Sequence, residues 1–206
     1  MKLFIEGGGD SNQLKTECRK GFTQFITAAG VSKRPRLVAC GSRNDAYDSF
    51  CTEIKSGKPA MLLVDSEAEV ATNHQQGDSD TWTPWAHLKQ RQGDEWDKPD
   101  GVTDTQCHFM VECMENWFLA DRKTLEKFFG QNFHAGSLPA ANRAIEFIPK
   151  TEVYSALKKA TSKSKKGEYG KGNHSFKLLA EINANLVVDA SPWAKRFITE
   201  LKKAMA

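Results

Sequence analysis

Residues 60–67 read AMLLVDSE: Ala60, Met61, Leu62, Leu63 and Val64 form an unbroken apolar run, and Asp65, Ser66 and Glu67 end it. A strand with one solvated face alternates apolar and polar residues, so this run predicts a strand covered on both faces. Upstream, Arg36 to Cys40 reads as a second such strand, followed by a Gly41-Ser42-Arg43-Asn44 turn. A helix is predicted over Asp45 to Lys55, with Ala46, Phe50 and Ile54 on one side. Nearer the N-terminus, Leu3-Phe4-Ile5 runs into Glu6-Gly7-Gly8-Gly9-Asp10. Leu14, Cys18, Phe22, Phe25 and Ile26 then recur at helical spacing. Asp10 is expected to cap that helix, with Gln13 three residues on, and Gly30 to close it. Strand, helix, strand, helix, strand in the first 65 residues predicts an α/β fold, a Rossmann-like parallel sheet with helices on both faces. In such sheets ligands sit at the carboxyl ends of strands, where Glu6, Asp65 and Glu67 fall.

Beyond residue 67 the rhythm breaks. Residues 70–105 are polar and acidic yet hold Trp82, Trp85 and Trp96, which predicts an ordered insertion packed over the sheet's active edge. Cys107 to Val111 reads as a fourth strand, with Glu115 near its end. Helices are expected over residues 123–129, 151–160, 175–182 and 192–205, the last opened by Ser191-Pro192. The organisation that follows is an α/β core over residues 1–130 and a basic, mainly helical extension over 131–206 packed on it.

Composition sets bounds on function. No apolar run approaches the roughly 18 residues of a spanning helix, and Leu3-Phe4-Ile5 stops too soon for a signal peptide, so the expectation is a cytoplasmic chain with no membrane partner. Five cysteines without a Cys-x-x-Cys pair argue against a zinc cluster and a disulfide framework. From Asp65 to Asp104 ten acids face three bases, whereas from Lys150 to Lys177 eight lysines face two glutamates. One acidic and one basic region suit a cation site beside a polyanion-binding surface. His108, in an apolar strand, is expected to be a satisfied core histidine.

Carboxylates gathered at strand ends repel one another and repel phosphates, and a hard cation bound by oxygen reverses both effects. Leu3-Phe4-Ile5-Glu6-Gly7-Gly8-Gly9-Asp10 with Leu62-Leu63-Val64-Asp65-Ser66-Glu67 resembles the TOPRIM domain of topoisomerases, primases and overcoming-lysogeny-defect nucleases. That domain pairs a strand-glutamate-glycine motif with a later Asp-x-Asp motif. Nearly the whole chain is similar to the DUF4276 family of TOPRIM-like proteins, through those segments, Ala39 to Ala46, Pro84 to Leu88, Met114 to Asp121 and Lys171 to Phe176. Glu67 departs from the pattern, since an aspartate is usual there.

The resemblance implies a magnesium or manganese site of Glu6, Asp65 and Glu67, which are also the catalytic residues. Glu115 is added from its position as a further ligand or outer group. Gly7 and Gly8 are expected to let a phosphate or metal-bound water approach the backbone. Arg43 would clamp a phosphate by its fork, and Lys150, Lys171 and His174 would bind substrate, the last two from a flexible Gly170-Lys171-Gly172-Asn173-His174 loop. The expected activity is a metal-dependent phosphodiesterase, a nuclease on DNA or RNA, in anti-phage defence with a separate ATPase. The alternative is a non-catalytic regulatory subunit of an ATPase complex. A homo-oligomer is left open.

Overall fold

A computed structural model describes all 206 residues. The elements, in chain order, are β1 (Lys2–Gly8), α1 (Asn12–Ala28), β2 (Arg36–Gly41), α2 (Arg43–Lys55), β3 (Ala60–Asp65), α3 (Pro84–Gln90), β4 (Cys107–Met110), α4 (Met114–Phe118), α5 (Arg122–Phe129), α6 (Lys150–Thr161), α7 (Lys171–Glu181), α8 (Ala184–Ala190) and α9 (Pro192–Met205). The four strands are parallel, in the order β2-β1-β3-β4.

The two-residue period of the strands sorts their side chains into two cores. Leu3, Ile5, Met61 and Leu63 join a larger cluster with Phe22 and Phe25 of α1 and with Leu157, Phe176 and Phe197 of the C-terminal helices. Phe4, Leu62 and Val64 point the other way, to Phe50 of α2, Trp85 and Trp96 of the insertion, and Trp193 of α9. All six residues of β3 are buried, as its unbroken apolar run demands. The insertion is ordered around two short 3-10 turns and α3. It lies largely over this second face, and Asp94 and Arg91 extend it to the edge where the strands' carboxyl ends lie. The C-terminal helices cover both faces, α7 against α1 and α9 against β4.

Several boundaries differ from expectation. Ser11, not Asp10, caps α1 by accepting from the Leu14 amide at 3.1 Å. The second helix begins two residues early, because Ser42 and Asp45 cap it reciprocally: Ser42 Oγ accepts from Asp45 N and donates to Asp45 Oδ2. Residues 171–174, expected as a loop, are the start of α7, with Gly170 before it as the cap; the Gly170 amide donates to His174 Nδ1 at 3.0 Å, and Ser175 and Phe176 anchor the helix by burial. The helix α8 has no counterpart among the expected elements. His108 is buried but only half satisfied: Nδ1 accepts from fully buried Arg196, and Nε2 has no partner. Arg196 also donates to the carbonyls of Ser79, Cys107 and Asp104, tying α9 to the insertion and β4.

The contact between α1 and α7 depends on Gly21. A Cβ there would lie 2.6 Å from the Phe176 carbonyl oxygen, a backbone atom that cannot swing aside. Alanine is the better helix former by about 1 kcal/mol, but overpacking of this kind costs about 1–3 kcal/mol. Gly21→Ala should therefore lower stability in chemical denaturation, by up to about 2 kcal/mol; a gain would show that the helices separate without cost.

Candidate metal centre

Glu6 stands two residues before the end of β1, Asp65 is the last residue of β3, and Glu67 follows two residues on. One carboxylate oxygen from each lies within 4.8 Å of the others. The sheet forces this meeting: β1 and β3 are hydrogen-bonded neighbours in register, Ile5 beside Leu63, so both chains leave the sheet at one edge. Glu67 adopts a φ of +65°, a left-handed conformation rare for glutamate. Its turn is pinned from both sides. The Ser66 and Glu67 amides donate to the carbonyls of Met110 and Glu112, and His87 Nε2 donates to the Ser66 carbonyl at 3.0 Å. Strain held this firmly aims a side chain.

Each carboxylate has a basic neighbour. Glu6 Oε2 accepts from the Asp65 amide at 3.0 Å and from Arg43 Nη1 at 3.2 Å. Arg43 Nη1 also donates to the Asp65 carbonyl, while its Nε and Nη2 grip Asp94 bidentately at 2.7 and 2.6 Å. Arg91 bridges Asp94, at 3.0 Å, and Glu67, at 3.9 Å. Glu67 is paired with Lys150 Nζ. Asp65 Oδ1 accepts from the Met114 amide at 2.9 Å, and its Oδ2 lies 3.9 Å from Lys171 Nζ.

Lys171 in turn stands 4.0 Å from Glu115. Glu115 is fully buried in the first turn of α4, where Tyr154 and Tyr169 hydroxyls donate to it at 2.9 and 2.8 Å and Ser175 at 3.2 Å. It stands outside the converging trio and acts on it through Lys171.

The sequence-expected residues thus meet at one edge with changed roles. Arg43 has no free face for a phosphate, because Asp94 takes one edge of its fork and Glu6 with the Asp65 carbonyl takes the rest. Lys150 is committed to Glu67. Lys171 is the most exposed of the bases at the cluster. His174 turns to its own helix start, with its ring 5.2 Å from that of Phe129. Gly7 and Gly8 border the site, but the chain's own packing requires them: a Cβ on Gly8 would meet Lys15 Cα at 2.9 Å, and one on Gly7 the Phe176 ring at 3.1 Å. Sequence reading missed Asp94, Arg91, His87, Tyr154, Tyr169 and Ser175. Only the acid-base run Arg91 to Glu95 hinted at any of them, Arg91 and Asp94.

Burial, and then the Glu6 charge, push the Asp65 carboxyl well above its ordinary range, with Lys171 opposing. Burial raises Glu6 as well, against Arg43. A carboxyl whose folded pKa is raised contributes stability below its unfolded value, about 3.9 for aspartate, and loses it as pH rises through the folded value. The contribution of Glu6 and Asp65 to the stability of the metal-free protein should therefore fall as pH rises from about 4. Asp65→Asn keeps an acceptor for the Met114 amide, so in chelator at about pH 7.5 it should melt above the wild type. A lower melting temperature would mean that ionised Asp65 is stabilised by its neighbours.

Residues 5–202 match a family model described as "Domain of unknown function (DUF4276)". No curated protein and no solved structure matches the chain.

Proposed function

The chain belongs to the DUF4276 family, and we propose that it is a metal-dependent phosphodiesterase, a nuclease, whose cation is held by Glu6, Asp65 and Glu67. The observation that carries this reading is the convergence of three carboxylate oxygens within 4.8 Å at the carboxyl ends of neighbouring strands. The trio contains no thiol or imidazole, and an all-oxygen donor set suits magnesium or manganese. The Asp65 carboxyl is raised by burial first and by the Glu6 charge second, and a cation beside it would oppose both effects. When bound, the cation supplies an activated water and neutralises charge on a phosphate.

The protein's own groups do the rest. Asp94 fixes Arg43, and Arg43 fixes Glu6 and the Asp65 backbone, so two ligands are oriented by one guanidinium. Glu115 and Tyr154 set Lys171 at the rim of the cluster. The lysines of residues 150–177 would carry a DNA or RNA backbone, without regard to its sequence. Action beside a separate ATPase in phage defence rests on the TOPRIM-like resemblance.

A second reading, a non-catalytic binding module, is favoured by one observation: Glu6, Asp65 and Glu67 each have a basic partner already, in Arg43, Lys171 and Lys150. Manganese at about a hundredfold its dissociation constant should stabilise the wild type by about 2.7 kcal/mol and leave Asp65→Asn unmoved. Absence of the wild-type shift overturns the cation site. With the metal bound, cleavage of DNA, RNA or transfer RNA should fall at least about 100-fold in Glu6→Gln. A metal shift without cleavage, alone or with the ATPase, leaves the binding module.

A further inference from the structure

A cavity of about 360 Å³ opens directly beside the carboxylates, near the lower end of the roughly 300–1,000 Å³ of small-ligand sites. Glu6, Asp65 and Lys171 border it on one side. Leu14, Met110, Met114 and Phe176 form an apolar wall. The remaining lining is glycine, Gly7 to Gly9, Gly41 and Gly172, which can offer only backbone atoms to the space.

This combination selects a ligand chemistry. An inorganic phosphate would fill only the charged side and leave the apolar wall against water. An aliphatic tail would cover the wall but bury the glycine backbone without partners, which costs free energy. A planar heterocycle meets both surfaces: its faces lie on Phe176 and the methionine thioethers, which adapt to flat rings, and its polar edges reach backbone N–H and C=O groups. The space suits one unpaired base with its sugar, and a paired or stacked base would not fit.

We propose that the cavity is a base subsite, so that the ligand is a single unpaired nucleotide unit with its base against Leu14, Met110, Met114 and Phe176 and its phosphate at the carboxylate edge. This rests on the cation reading above, since without a bound cation Glu6 and Asp65 repel a phosphate. A free nucleotide and an unpaired base of a strand share this chemistry.

Gly172 supplies the test. It lines the cavity as the second residue of α7, and a Cβ there meets only Leu14 Cδ1, at 3.9 Å. Gly172→Leu therefore adds a side chain at the cavity from a position where the Cβ itself meets no strain, and leucine suits a helix better than glycine. Manganese binding is measured first, by electron paramagnetic resonance, on wild type and variant. Calorimetric titrations of the manganese-loaded proteins follow, with adenosine monophosphate, ribose 5-phosphate, a single-stranded oligonucleotide and a blunt duplex. The wild type should bind adenosine monophosphate at least tenfold more tightly than ribose 5-phosphate. Gly172→Leu should erase that preference while manganese binds as before. A single strand preferred over both the duplex and the free nucleotide points to a strand as the source; preference for the free nucleotide points to a small ligand. Manganese binding with no base preference, or a preference that survives Gly172→Leu, overturns the base subsite alone. Failure of manganese to bind overturns the cation site and this proposal with it.

Discussion

Three carboxylates held within 4.8 Å of one another impose the constraint that the rest of the active edge answers. At an effective dielectric of about 20, each such pair of unit charges repels by on the order of 3–4 kcal/mol. That is a large share of the roughly 5–15 kcal/mol that holds a domain together, so the fold must bring compensating charge from elsewhere. It does so from three directions. Arg43 comes from the start of α2, Arg91 from the insertion after α3, and Lys150 and Lys171 from the starts of α6 and α7. The insertion and the C-terminal helices are thus tied to the chemistry of the edge as well as to the packing of the sheet.

The compensation is itself compensated. Asp94 takes both outward nitrogens of Arg43, and Trp96 lies under its guanidinium at 4.9 Å. Lys171 is shared between Asp65 and Glu115, and Glu115 is buried beneath three hydroxyls. Buried charge survives only where it is paired and hydrogen-bonded, and each outer group meets that condition for the one inside it. Glu115 is therefore more than a spare ligand: without it Lys171 would lose one of its two anionic neighbours.

The sheet was legible in the sequence because continuous apolar runs report burial on both faces; β2 and β3 lie within a residue of where those runs put them, and β1 runs three residues past Ile5, to Gly8. The trio was legible for the same reason, since strand order places Glu6, Asp65 and Glu67 at one edge. The outer ring was not. Asp94, Tyr154, Tyr169 and Ser175 come from separate segments whose meeting depends on tertiary packing, and no spacing links them. Residues 170–174 misled because glycine and asparagine favour loops in isolation. The fit of Phe176 against Gly21 and the Gly170–His174 cap override that preference. The glycines at the end of β1 were read as room for a ligand, but positive φ and the nearness of Lys15 and Phe176 account for Gly7 and Gly8 without one.

The pairing of Glu67 sets the terms on which a cation could use this site. Asp65 keeps its Met114 hydrogen bond on Oδ1, leaving Oδ2 toward Lys171, and Glu6 has Oε2 engaged by Arg43 and the Asp65 amide. Those contacts can persist beside a metal because each carboxylate has a second oxygen. Glu67 follows the same plan: Lys150 and Arg91 both address Oε2, which leaves Oε1. A cation drawing on Oε1 would leave the Lys150 pair intact, and one drawing on Oε2 would compete with the Lys150 ammonium for it. The Glu67 side chain reaches the start of α6, where Lys150 stands.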